Sequence, residues 1–297
     1  MANLNYNILV PMDFSEHAEY ALNQAIKLAK LTNGKIFLLY VHLDKNGVLS
    51  KLFSQENTDL FDEAVMSKLE KLAEEKSLES GVEISFDLQH ANSVAGKIVE
   101  VANVNKSAMI VMGKGRLYDE GIERFVIGSV TSRVIRYSKV PVITLGNDCE
   151  KTSCQNIMLP LDLTKETRQK VSWGIQMARI FGANIKVVSA LWDINDPEII
   201  NSLNFQMKQV KDFISKAGIK VTTAIVKSSK TSKDIVSIMM DYIEREGDIG
   251  MVLIMTQQEN EISSFFLGST ATEFIRRSPV PVMSIIPRET GEIILGL

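Results

Sequence analysis

Apolar positions along the chain fall alternately into short runs and longer helical stripes. Asn7–Met12 is a short apolar run that closes on Pro11 and Met12 and leads into Asp13, as a buried strand entering a turn does. Ser15 can cap a following helix. Ala18, Ala21, Leu22, Ala25, Ile26, Leu28 and Ala29 then recur at helical spacing up to a stop at Asn33-Gly34. Lys35–His42 reads as a second buried strand, and Leu43–Asp59, which has no period, as a loop. Leu60–Ser80 predicts an amphipathic helix, with Leu60, Phe61, Ala64, Val65, Leu69, Leu72 and Ala73 along one stripe. Val82–Leu88 alternates as a third strand, Ser93–Ala102 is helical, and Ala108–Met112 is a fully apolar fourth strand. A glycine-containing loop leads to a helix over 128–138, and Val140–Leu145 is the fifth strand. Strands that alternate with helices imply a parallel sheet joined by right-handed crossovers, an α/β fold.

The same order then returns. Ile8-Leu9-Val10-Pro11-Met12-Asp13 recurs as Ile157-Met158-Leu159-Pro160-Leu161-Asp162, an offset of 149 positions (8 to 157). Phe125–Ser129 recurs as Phe265–Ser269, and Val140–Thr144 as Val280–Ser284, both offset by 140 (128 to 268). A period this long is a whole domain, not the ~20–50 residue unit of a solenoid. Strands are predicted at 156–161, 184–191, 219–226, 249–255 and 280–286, and helices at 166–181, 196–217, 232–246 and 268–278. The chain divides into a first domain over 1–146, a polar linker over 147–155 and a second domain over 156–290.

Composition narrows the function classes. Of 297 residues, 45% are hydrophobic and 23% charged, enough for two packed cores. A net charge of −3, with no basic cluster interleaved with aromatics, argues against a nucleic-acid partner. No apolar run reaches the ~20 residues of a membrane helix, and Met1–Asn7 lacks the basic and apolar parts of a signal peptide. A cytoplasmic protein is expected, with Cys149 and Cys154 as free thiols. His17, His42 and His90 look scattered: the first a solvated helix residue, the second a strand-end residue, the third without a visible partner. A metal site is not expected from them.

Candidate chemistry gathers at strand ends in the first copy. Ligands of open parallel sheets settle beyond the carboxyl ends of the strands, where strand order reverses. Asp13 follows the first strand, and Met112-Gly113-Lys114-Gly115-Arg116 follows the fourth. Glycines there allow backbone N–H groups to approach an anion. Gly128-Ser129-Val130-Thr131 opens a helix whose start carries unpaired donors and a positive dipole end, and Ser129 and Thr131 add hydroxyls. Lys114 and Arg116 add positive charge to the loop. The chain has neither a full dinucleotide fingerprint nor a P-loop, and shows no nucleophile–base pair.

The ordered landmarks resemble the universal stress protein family in its tandem two-domain form. The residues that carry the likeness are Ile8–Ser15, Ile110–Gly113, Gly121–Val130 and Val140–Val142. The resemblance implies five-stranded parallel sheets of order 3-2-1-4-5, and an ATP site with Mg²⁺ in the first copy. Pro11, Met12, Asp13 and the backbone near Val41 would hold the adenosine. Met112, Gly113, Gly115, Gly128, Ser129, Val130 and Thr131 would hold the phosphates. It also implies pairing of the two copies through their fifth strands as an internal pseudo-dimer, further homo-oligomerisation, and a protein partner. The family's loop, G-x2-G-x9-G-[S/T], does not fit strictly. Gly113 and Gly128 lie 15 positions apart where the pattern needs 13, and the place of its middle glycine is Tyr118.

In the second copy the loop runs from Met255 to Gly268 without an early glycine and carries Glu259 and Glu261, so a degenerate site is expected. The leading reading is a non-catalytic adenine-nucleotide-binding regulator of a stress response, with one competent site per chain. Two others stand beside it: a slow ATP hydrolase or adenylyl-type enzyme drawing on Asp119, Glu120 or Glu123, and an interaction scaffold without nucleotide.

Overall fold

A computed structural model of the chain describes residues 6–44, 55–115, 117–119, 122–124, 127–146, 154–161, 167–191, 196–227, 234–256 and 269–287; at 55–57, 117–119, 122–124, 167–168 and 269 it describes the backbone alone. It forms two compact units, Met1–Asn147 and Asp148–Leu297.

In the first unit, β1 (Asn7–Pro11) lies between β2 (Lys35–Leu43) and β4 (Met109–Gly113), with β3 (Ile84–Ala91) beyond β2 and β7 (Val142–Leu145) beyond β4. All these pairings are parallel, giving the order β3-β2-β1-β4-β7. This is the expected 3-2-1-4-5 sheet. Its middle is dry: Ile8, Leu9, Val10, Ile36, Leu38, Met109 and Ile110 are fully buried, each side chain contributing ~1.5–3 kcal/mol of apolar transfer.

Helices α1 (Glu16–Thr32), α2 (Gln55–Ser80), α3 (Val94–Val104) and α4 (Ser129–Tyr137) connect the strands. The Ser15 side chain accepts from the Ala18 N–H, and Glu16 and Glu19 sit where the helix dipole favours anions. The stop at Asn33 is a left-handed C-cap, φ +50°, whose backbone N–H bonds to the Ala29 carbonyl.

Two expectations need correction. Helix α2 begins at Gln55, inside the stretch read as a loop. That stretch carries no apolar period, so periodicity had nothing to detect, but Glu56 and Asp59 suit a helix start. Only Val65, Leu69 and Ala73 of the expected stripe are fully buried; Leu60, Phe61 and Ala64 are exposed. The loop after β4 also contains a two-stranded antiparallel hairpin, β5 (Leu117–Asp119) with β6 (Ile122–Arg124). These strands bracket Glu120-Gly121 within the loop between Gly113 and Gly128.

The second unit repeats the plan. Its strands are β8 (Asn156–Pro160), β9 (Asn184–Leu191), β10 (Val221–Lys227), β11 (Ile249–Met255) and β12 (Val282–Ile285), paired in parallel as β10-β9-β8-β11-β12. Its helices are α5 (Thr167–Phe181), α6 (Pro197–Lys216), α7 (Ile235–Glu246) and α8 (Ser269–Arg277). Asp196 and Asp234 cap α6 and α7 with their carboxylates, and Gly247 ends α7 at φ +66°. Among the described residues no helix is long and apolar enough to cross a membrane.

Candidate functional site

Strand order in the first unit reverses between β1 and β4, and a cavity of about 560 Å³ opens at their carboxyl ends. All eleven residues expected there line it: Pro11, Met12, Asp13, Val41, Met112, Gly113, Gly115, Gly128, Ser129, Val130 and Thr131. Reading the sequence missed Ser15, His17 and Ala18 from α1 and its cap, Leu39 and Tyr40 from β2, and Val94 and Ile98 from α3. Tyr40 was within reach as the neighbour of Val41. Val94 and Ile98 gave no signal beyond ordinary core periodicity. The size falls within the ~300–1,000 Å³ of small-molecule pockets.

The lip after β4 is held by a short network. The Lys114 N–H donates to the Leu145 carbonyl (2.8 Å), extending the β4–β7 ladder by one bond. The Gly128 N–H then donates to the Lys114 carbonyl (2.8 Å), so the start of α4 is stitched to the strand end. Thr131, 4% exposed, donates its hydroxyl to the Gly113 carbonyl at 3.1 Å. Its hydroxyl therefore braces the loop. Gly115 lies at φ +83°, where a side chain is strained, and a Cβ there would come within 3.2 Å of Gly128 Cα. At Gly113 a Cβ would stand 2.8 Å from His17 Cβ, so α1 leaves this position no room for a side chain.

What faces the cavity from α4 is the helix start itself. Gly128 caps it without a side-chain bond, and the amides of Ser129, Val130 and Thr131 have no partner among the described residues. Three N–H donors with a positive dipole end form a receptor for an anion. The sequence reading gave Lys114 as positive charge in the loop, suited to phosphates or to an exposed position. The structure instead buries its side chain, 5% exposed, with Nζ about 3.8 Å from where Gly146 would carry a Cβ, and Lys114 does not line the cavity. Arg116 lies outside the described residues.

Beyond β1, Asp13 Oδ1 accepts from the Ser15 N–H at 3.0 Å and the Ser15 hydroxyl at 2.5 Å. Oδ2 takes no hydrogen bond among the described residues. Between them Phe14 adopts φ +59°, an uncommon conformation for a residue with a side chain, which turns the chain sharply from β1 into α1. The Phe14 ring stacks on Tyr40 with centroids 5.8 Å apart, and Lys68 Nζ lies 4.1 Å from its centre. Burial, then the charges of Asp13 and Asp62, hold the Tyr40 phenol above its ordinary 10.0, so it stays a neutral hydroxyl at physiological pH. Among the described lining residues Asp13 is the one carboxylate.

In the second unit the strand ends are built alike but furnished differently. Thr256 donates its N–H to the Ile285 carbonyl (2.9 Å), as Lys114 does to Leu145, and Met255 pairs with Ile285 as Gly113 pairs with Leu145. Met255 therefore occupies the position of Gly113. Asp162 and the loop from 257 to Gly268 lie outside the described residues, as does Cys149. Cys154 is a free thiol whose pKa burial pushes up to about 12.

His42 does not line the cavity, and neither it nor His90 is isolated. His90 falls within β3, pairs in register with His42 of β2, and is bonded to Asp44 and Asp62. The sequence signal for this was faint: both histidines sit near the carboxyl ends of consecutive strands.

Fold and site together define a doubly wound α/β protein, built twice, with a ligand-sized cavity at the switch point of its first copy. The universal stress protein family model matches residues 5–145 and 154–285, and the chain belongs to that family. A universal stress protein of Methanocaldococcus jannaschii is 31% identical over 154 residues, 48% of this chain and 83% of its own length. The crystal structure of a universal stress protein from Archaeoglobus fulgidus superposes with a TM-score of 0.72 over 95% of this chain and 97% of its own, at 19% identity, a likeness of fold. Another A. fulgidus universal stress protein, solved in complex with dAMP, aligns over 44% of this chain and 97% of its own at 19% identity and a TM-score of 0.37.

Proposed function

We propose that the first unit binds an adenine nucleotide, ATP with Mg²⁺, and that the protein is a non-catalytic regulator within a stress response, with one nucleotide site per chain. The observation that carries this reading is the polarity of the cavity. One end offers the open amides of Ser129, Val130 and Thr131 at a helix start, which suit phosphates. The other offers the Asp13 carboxylate, an acceptor for ribose hydroxyls, and the end of β2 at Val41. Between them Met12, Leu39, Val94 and Ile98 give an apolar wall for a base.

Mg²⁺ would arrive on the phosphates, since it binds through phosphate oxygens and water with few protein ligands. Asp13, the one carboxylate among the described lining residues, is held through Oδ1 by Ser15. The carboxylates of Asp119, Glu120 and Glu123, on which a hydrolase would draw, lie outside the described side chains. Titration of the full chain with ATP and Mg²⁺ by calorimetry is expected to show one site per chain and a rise in melting temperature. Asp13→Ala removes a charged acceptor worth about 1.5–3 kcal/mol and should weaken binding at least tenfold. Absence of both heat and thermal shift at millimolar ATP would overturn the proposal.

A further inference from the structure

We propose that the first unit carries a divalent transition-metal site formed by His42, Asp62 and His90, on the α2 side of β2 and β3 and separate from the nucleotide cavity. His42 and His90 are register partners on neighbouring parallel strands, so both imidazoles stand on the same face of the sheet. Their ring centroids are 4.7 Å apart. Helix α2 passes over this face and presents Asp62 to both rings: Oδ1 lies 2.9 Å from His42 Nδ1, and Oδ2 lies 2.7 Å from His90 Nε2. One ligand atom from each residue lies within 4.8 Å of the others. Ligands at ~2.1 Å around a tetrahedral ion stand about 3.4 Å apart, so a small opening of these contacts admits the ion.

Two further features point to a metal rather than to a plain ion pair. His90 turns its other nitrogen, Nδ1, to Asp44 Oδ1 at 3.0 Å. A carboxylate behind a ligating histidine fixes its tautomer and strengthens it as a donor, and this is the usual support of a metal-bound imidazole. Charge also balances: Asp62 and Asp44 carry two negative charges, which one divalent ion neutralises while both histidines stay neutral. The Phe61 ring meets His42 edge-on at 5.1 Å and holds its orientation. Two imidazoles and one carboxylate select Zn²⁺, Co²⁺ or Ni²⁺ over Mg²⁺ or Ca²⁺, and water completes the coordination.

The test uses the full chain, stripped with a chelator and titrated with Zn²⁺ and with Co²⁺. One ion per chain is expected, with visible d–d bands for Co²⁺ and no response to Mg²⁺. His90→Gln and Asp62→Asn should each weaken Zn²⁺ binding at least tenfold, and Asp44→Asn about tenfold through the orientation of His90. Cys154→Ser should change nothing. Should a variant fail to fold, imidazole NMR signals of the native chain still decide: Zn²⁺ must shift those of His42 and His90 together. No stoichiometric binding, affinity unchanged in both ligand variants, or Zn²⁺ shifting neither histidine would each overturn the site and leave a carboxylate clamp between α2 and the sheet.

Discussion

Asp234 caps α7 through the Ser237 N–H at 2.6 Å and faces Arg277 of α8 at 3.4 Å, so one carboxylate serves two helices. The backbone bond from Ser237, helped by the Arg277 charge, holds its pKa below the ordinary 3.8. Stability from a carboxylate with a depressed pKa is present above the unfolded value and is lost as pH falls through the folded one. Asp234→Asn keeps a good cap but removes the charge. At pH 7 the variant should therefore melt lower by only a small margin, about 0–1 kcal/mol for so exposed a pair. The gap should close as pH is lowered through about 3.8 and beyond, because the wild type alone loses this term; a gap that stays constant down to that range would refute the assignment. Single residues were legible in place more than in role. Thr131 stands at the cavity as read, yet its hydroxyl ties the Gly113 carbonyl, and Lys114 turns away from the cavity. Sequence gives the position of a donor, whereas its partner depends on which backbone carbonyl the fold brings near.

Helix α2 shows the same division at the level of an element. Spacing identified a helix and one apolar side, and the charged side faces solvent as read. The length of the buried stretch was not legible, because it is set by how far β3 and its neighbours extend under the helix. Leu69 is 0% exposed, whereas Leu60, on the same predicted stripe, is 64% exposed. Leu69→Ala should thus destabilise the chain by ~2–5 kcal/mol through lost burial and the cavity it leaves. Leu60→Ala should change stability by less than ~0.5 kcal/mol, as surface substitutions do. Chemical denaturation of the two variants checks the contrast, and equal losses would mean that the helix packs along its whole stripe. Phe61, also on that stripe, meets Tyr40 and His42 instead of the core. Short apolar runs, with alternation in the third, were enough to place β1–β4 and β7, while the order of strands in the sheet came with the family resemblance, since periodicity carries no information about neighbours.

At the scale of the molecule, the repeated landmarks predict two similar scaffolds, and the strand registers show how similar scaffolds can differ in chemistry. Gly113 and Met255 occupy the same place at the end of the fourth strand of each unit. In the first unit that place tolerates no Cβ, because His17 stands 2.8 Å away, and its bare backbone borders the cavity. Gly113→Met therefore imports the second unit's residue into the first. Overpacking should cost ~1–3 kcal/mol of stability, and nucleotide binding should disappear while far-UV dichroism stays native. The reciprocal Met255→Gly restores one glycine, but the following loop keeps Glu259 and Glu261, whose charges oppose phosphates. Its stoichiometry by calorimetry should remain one ATP per chain. If Met255→Gly raised the count to two, a single side chain would separate the copies and the loop charges would be irrelevant; if Gly113→Met still bound ATP with the original stoichiometry, the site would not lie at the first switch point.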